Sequence, residues 1–170
     1  MRVTSEVTNV DDRDVPFGAG FHPYFAPLAA PSADQLTLQC GAESFWVLQD
    51  KIPTGEVAAV AGANDLRDGP EVGERRLDDV LTGLPPFVAG IDGLMERARL
   101  SGGGRALSLR CDAGYRDMVV FTPANRESLA VEPYTCPTDA IHLDEAGLDV
   151  GWRVLAPGDT WIGVVEYVVV

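Results

Sequence analysis

Two stretches of this chain hold residue types suited to moving protons. The first, Gly18-Ala-Gly-Phe-His-Pro-Tyr-Phe25, sets His22 among aromatic rings, behind two glycines and in front of a proline. The second lies far downstream, in Val131-Glu-Pro-Tyr-Thr-Cys-Pro-Thr-Asp139, where Glu132 also precedes a proline. Proline disfavours the α region for the residue before it, so both side chains are expected to project from extended backbone. Histidine is the commonest general acid–base group, and a carboxylate complements it. A pair of this kind can donate one proton while accepting another.

Each residue also has an ordinary structural explanation. His22 could be a packed core residue with satisfied nitrogens, and Glu132 an exposed carboxylate at a strand end. The setting favours chemistry. Gly18 and Gly20 would let backbone pass close to a ligand, and Phe21, Tyr24 and Phe25 offer flat apolar faces of the kind a sugar ring rests on. His142, in Ala-Ile-His-Leu, reads as a strand or turn position.

The elements that must carry these groups are strands. Residues 1–10 alternate loosely, and Leu36, Leu38 and Cys40 share one face of a second alternating segment. Phe45, Trp46 and Val47 are good strand formers; Pro53-Thr-Gly55 reads as a turn, 57–61 as a weak strand and 62–73 as a charged loop. A short apolar-acidic element at 77–83 is followed by a proline-rich turn. Residues 94–100 and 105–111 flank a Ser-Gly-Gly-Gly turn as the clearest hairpin. The apolar run 118–122 suits a strand covered on both faces, and 129–131 begins another. Residues 152–155 and 161–170 read as a closing hairpin about Pro157-Gly-Asp159. The one helical signal is a turn at Pro137-Thr-Asp-Ala140, where proline suits a first helical position. Many short strands with Gly/Pro turns give an all-β class, an antiparallel sandwich or barrel, and 170 residues without an internal linker fit one domain, 1–170.

Charge narrows the partners. With 13 basic against 26 acidic residues, a net charge of −13 and no basic run, the chain is unsuited to nucleic acid or an anionic membrane surface. Cys40, Cys111 and Cys136 are odd in number, far apart and without a CxxC pair, as expected of reduced thiols rather than disulfides or a zinc site. The first twenty residues hold charged side chains instead of a signal-peptide core, and no run is long enough to span a membrane. The expected location is the cytoplasm.

The motifs also occur in a familiar order. Phe21-His-Pro-Tyr-Phe25, Pro53-Thr-Gly55, Leu77-Asp78, Val131-Glu-Pro-Tyr-Thr-Cys-Pro-Thr-Asp-Ala140 and Leu155-Ala-Pro-Gly158 together resemble the aldose 1-epimerase (galactose mutarotase) family. The resemblance implies a large antiparallel β-sandwich of the galactose mutarotase type with a cleft on one sheet. It implies that His22 protonates the ring oxygen of a hexose and that Glu132 is the general base. Asp78 corresponds to a carboxylate that hydrogen-bonds sugar hydroxyls, with Asp79 in its place if the register slips by one. Phe121 corresponds to an aromatic lining the cleft, and Tyr24 joins it as a substrate contact. The implied reaction interconverts α and β anomers: the C1 hydroxyl loses a proton, the ring oxygen gains one, the ring opens, C1 turns, and the ring closes on its other face. One acid and one base suffice, so no metal or other cofactor is expected. The imidazole and the carboxylate are expected to converge on one open pocket, several ångströms apart, with a pyranose between them.

The family's domain is longer, begins well before the His-Pro-Tyr-Phe motif, and carries there an arginine and a second histidine that also contact the sugar. The resemblance therefore implies an N-terminally truncated sandwich, an incomplete substrate site, and uncovered sheet edges that favour a homo-oligomer. Two alternatives follow, a non-catalytic carbohydrate-binding module and an inactive fragment. A hexose-6-phosphate mutarotase would need a cationic pocket, whereas Arg75 and Arg76 read as solvated surface.

Overall fold

The computed structural model describes residues 1–85 and 92–170. Along the chain run β1 (Arg2–Thr8), β2 (Val15–Phe17), β3 (Tyr24–Phe25), β4 (Thr37–Cys40), β5 (Ser44–Gln49), β6 (Ile52–Ala59) and β7 (Asp78–Thr82). Then follow β8 (Met95–Gly102), β9 (Arg105–Cys111), β10 (Asp117–Phe121), β11 (Leu129–Tyr134), helix α1 (Ala140–Glu145), β12 (Arg153–Leu155) and β13 (Thr160–Val169). One sheet has the order β1-β13-β9-β8-β4 and the other β3-β11-β10-β7-β5-β6, while β12 and β2 form a small ribbon. The strand pairings are antiparallel. The all-β antiparallel expectation therefore holds, with one short helix added.

Period-two alternation explains how the six-stranded sheet serves two interiors. Leu81, Met118, Val120, Leu129 and Val131 point to one side and join Leu38, Leu100, Leu109 and Val165 of the other sheet in the main core. Each such side chain contributes about 1.5–3 kcal/mol on full burial. The opposite side of β5, β7 and β10 turns Trp46, Val80 and Val119 outward, where Ala140 and Leu143 of α1 and Val150 cover them as a second cluster. The run at β10 is thus covered on both faces, as its composition requires.

Several local readings change. Pro53-Thr-Gly55 is not a turn; it lies inside β6, an edge strand, where a proline's missing N–H is tolerated. The turn sits earlier, at Asp50 and Lys51, whose φ values of 51° and 68° make a two-residue connection matching the twist of the flanking strands. The 152–155 and 161–170 segments do not form a hairpin: β12 pairs with β2, whereas β13 pairs with β1 and β9. The helical turn begins at Ala140 rather than Pro137 and runs six residues, so His142 lies on a helix and not in a strand or turn. The Gly-rich hairpin appears as expected, turning at Gly103 and Gly104, both with positive φ. The proline-rich turn after Gly83 falls largely on 86–91, outside the described residues. Cys40, Cys111 and Cys136 are free and buried. Among the described residues no helix is long and apolar enough to cross a membrane.

Candidate active site

Glu132 lies within β11, opposite Val119 of β10, and is only 1% exposed. It is therefore no exposed strand-end carboxylate. Its neighbour across the edge is the histidine stretch. Phe21 N–H donates to the Pro133 carbonyl (3.2 Å), Thr135 N–H to the Ala19 carbonyl (2.8 Å), and Ala19 N–H to the Thr135 hydroxyl (2.9 Å). Gly20 bridges to Tyr134, and β3 then pairs with Leu129 and Ala130. These bonds lay the segment 18–25 antiparallel to β11 and bring two parts of the chain, remote in sequence, into contact. His22 Nε2 lies 3.2 Å from Glu132 Oε1.

The two glycines are required by protein packing. A Cβ on Gly20 would lie 2.6 Å from the Tyr134 ring, and one on Gly18 would lie 2.6 Å from Cys136 Sγ. The Tyr134 ring matters because its hydroxyl donates to Glu132 Oε2 at 3.1 Å. Gly20→Ala is accordingly expected to cost about 1–3 kcal/mol by overpacking and to tilt Tyr134 off the carboxylate. Urea unfolding would register the first effect, and a change in the Tyr134 hydroxyl resonance the second. Unchanged values of both would show that the ring has slack.

Burial perturbs this carboxylate as well. Burial pushes the Glu132 carboxyl above its ordinary range and Asp78 adds to this, while the Tyr134 hydrogen bond and His22 pull it partly back. The Tyr134 phenol is pushed up to about 12, first by burial and then by the Glu132 charge, so it remains a hydrogen-bond donor. His22 is half exposed at 51%, and its ring stacks on Tyr24 with centroids 4.9 Å apart.

The remaining walls come from the paired strands β7 and β10, whose register sets Asp78 opposite Phe121. Asp79 belongs to the other face, where its carboxylate accepts from Asn64 Nδ2 at 3.1 Å; the register does not slip. His22, Tyr24, Asp78, Phe121 and Glu132 all line one cleft of about 330 Å³. Lys51, Tyr134 and Thr138 line it as well. The left-handed turn at the tip of the β5–β6 hairpin carries Lys51, whose Nζ lies 3.0 Å from Asp78 Oδ2. Both partners are half exposed or more, so the pair adds little to stability.

Lys51 had no sequence signal, because Asp-Lys is far from the Asn-Gly type that marks such turns. Tyr134 was in plain view two residues after Glu132, but its contact depends on the Gly20 packing. Arg75 and Arg76 do not line the cleft, and the Arg75 guanidinium donates to the Glu71 carbonyl. His142 is 71% exposed on α1 and 2.6 Å from Asp139.

One expectation is corrected in detail. Imidazole and carboxylate do converge on an open cleft, but at 3.2 Å they touch, and no ring fits between them. Side by side at a cleft floor, an acid and a base can serve two oxygens carried by one carbon atom.

This architecture is that of the galactose mutarotase-like β-sandwiches. A galactose mutarotase-like protein from Clostridium acetobutylicum superposes with a TM-score of 0.84 at 20% identity, over 99% of this chain and 52% of its own. A putative aldose 1-epimerase from Escherichia coli K12 gives a TM-score of 0.78 at 22% identity, over 99% and 55%. A GalM/aldose epimerase homologue from C. elegans gives 0.74 at 19%, over 99% and 56%. The chain thus spans about half the length of these proteins. The family model for aldose 1-epimerase matches residues 1–168, and the chain belongs to the aldose 1-epimerase family.

Proposed function

We propose that the cleft binds a hexose and interconverts its α and β anomers by acid–base ring opening. The carrying observation is the contact between His22 Nε2 and Glu132 Oε1 at 3.2 Å on the cleft floor. The two oxygens that exchange protons in this reaction, the C1 hydroxyl and the ring oxygen, are both bonded to C1. An acid and base side by side match that demand better than a pair on opposite sides of the ring. Glu132 takes the hydroxyl proton while His22 gives one to the ring oxygen; after C1 turns in the open aldehyde, the reverse transfers close the ring.

Asp78 accepts from ring hydroxyls and Lys51 donates to them, while Tyr24 and Phe121 supply apolar contact. The defining measurement is anomer exchange of freshly dissolved α-D-glucose and α-D-galactose, followed by NMR or polarimetry. Exchange no faster than in buffer would reject the reading. Sugar binding without acceleration would instead favour a non-catalytic binding module. The three free cysteines support a reducing compartment, the cytoplasm.

Strands β1 and β3, sheet edges among the described residues, flank an apolar groove of about 620 Å³ lined by Met1, Val3, Phe25, Leu28 and Tyr167, and reaching His22 and Tyr24. Edges and apolar surface of this kind favour covering. A second copy of the chain is the occupant we assign, since strands β1 and β3 offer it free edges beside the apolar face. Light scattering is expected to give the mass of two chains, and a mass of one chain overturns the assignment.

A further inference from the structure

The cleft has a neighbour that the anomer chemistry leaves unused. A second cavity of about 410 Å³ shares His22, Tyr134 and Thr138 with the cleft, but none of Asp78, Lys51 or Phe121. It therefore adjoins the histidine side and not the Asp78–Lys51 side. Its other walls are Trp152, Ile141 and Asp139, with backbone of 18–20 along one edge. Trp152 is part-exposed and rests on the second apolar cluster, so its ring is backed by packed side chains. Ile141 is 42% exposed. An aromatic face with apolar and hydroxyl-bearing neighbours suits a second sugar ring.

We propose that this cavity is a subsite for a glycosyl group on C6 of the reducing hexose, so that 1,6-linked disaccharides are substrates. The inference rests on the reading of the cleft given above. There the ring oxygen faces His22. C5 is bonded to that oxygen and carries C6, so whatever C6 bears leaves the cleft past His22, into this cavity. Substituents on C4, across the ring from C1, and on C3, across from the ring oxygen, point toward Asp78 and Lys51 instead. No lysine or arginine lines the cavity among the described residues, and Asp139 brings negative charge to it. A phosphoryl group on C6 would meet the Asp139 carboxylate there with no lysine or arginine to bind it, whereas a neutral sugar meets no penalty.

The test compares melibiose and isomaltose, both 1,6-linked, with maltose, glucose, galactose and glucose 6-phosphate, using anomer exchange by NMR and saturation transfer from protein to each sugar ring. The wild-type protein is expected to exchange the 1,6-linked pair at least as efficiently as the monosaccharides, and maltose and glucose 6-phosphate at least tenfold less efficiently. Saturation should reach both rings of melibiose. Trp152→Ala is expected to lower kcat/KM for melibiose and isomaltose about tenfold, while glucose and galactose stay within twofold. Because Trp152 also packs on the second cluster, Ile141→Arg is the companion variant; it fills the same cavity from an exposed helix position and should give the same selective loss. Equal losses for mono- and disaccharides in both variants, or a preference for glucose 6-phosphate, would overturn the subsite. If no sugar is exchanged, the catalytic reading fails separately, and the saturation pattern still decides: signal on the second ring, lost in Ile141→Arg, upholds the subsite, and its absence rejects it.

Discussion

Glu132→Gln is expected to lower the rate of anomer exchange about 10²–10⁴-fold, and His22→Asn to do so by a similar factor. The amide keeps the shape of the carboxylate and can still accept from Tyr134, so a loss without unfolding isolates the missing base. The asparagine removes an imidazole whose ring is half exposed and stacked only on Tyr24, which leaves the fold little disturbed. Activity within tenfold of wild type in either variant, with unchanged circular dichroism, would show that the contacting pair is not what moves the protons. The pH profile adds a second constraint. Glu132 must be ionised to act as a base, and burial raises its carboxyl above the ordinary range. Activity should consequently fall on acidification at a higher pH than for a solvent-exposed glutamate. An acidic limb at the ordinary carboxylate value of ~4.3 would mean that the working base is a different, solvated group.

The second large effect concerns stability. Asp117 is 1% exposed beneath the second cluster; the indole N–H of Trp46 donates to its Oδ1 at 3.1 Å, and Oδ2 has no hydrogen-bond partner. Burial pushes its carboxyl from 3.8 up to about 6, and the Trp46 and Thr82 side chains offset only part of this. A carboxyl raised in the fold favours the native state in its neutral form. Its contribution is complete below pH 3.8, is lost as pH rises to about 6, and is flat above. Asp117→Asn stays neutral and can still accept from Trp46. It should match the wild type at pH 4 and exceed it by about 3 kcal/mol at pH 8, from two pKa units at 1.36 kcal/mol each. Urea unfolding at the two pH values measures this, and a variant less stable at pH 8 would mean that the ionised carboxylate is needed where it lies.

The strand content and the candidate acid and base, His22 and Glu132, were legible in the sequence because residue type, alternation and a following proline are local features, whereas Phe121 came from the family resemblance. Alternation and Gly/Pro spacing set β1, β4, β8 and β9; a proline after His22 and after Glu132 holds both in extended backbone. The family resemblance then named Asp78 over Asp79, and the pleat of β7 puts only Asp78 on the cleft side. What the sequence could not give were facts of pairing between distant segments. That β12 leaves β13 to join β2, and that the Pro53 segment continues a strand, depend on which edges are free to accept them.

The site shows the same division. Residue types announced an acid and a base, but only the tertiary structure decided that they touch. The antiparallel run of 18–22 along the end of β11 closes their distance to 3.2 Å. It also sets Gly20 against Tyr134, so that the phenol reaches Glu132, and the hairpin tip at Lys51 meets Asp78 only because β5 pairs with β7. Local backbone preference is written residue by residue, whereas burial, contact and a raised carboxyl belong to the assembled sheet.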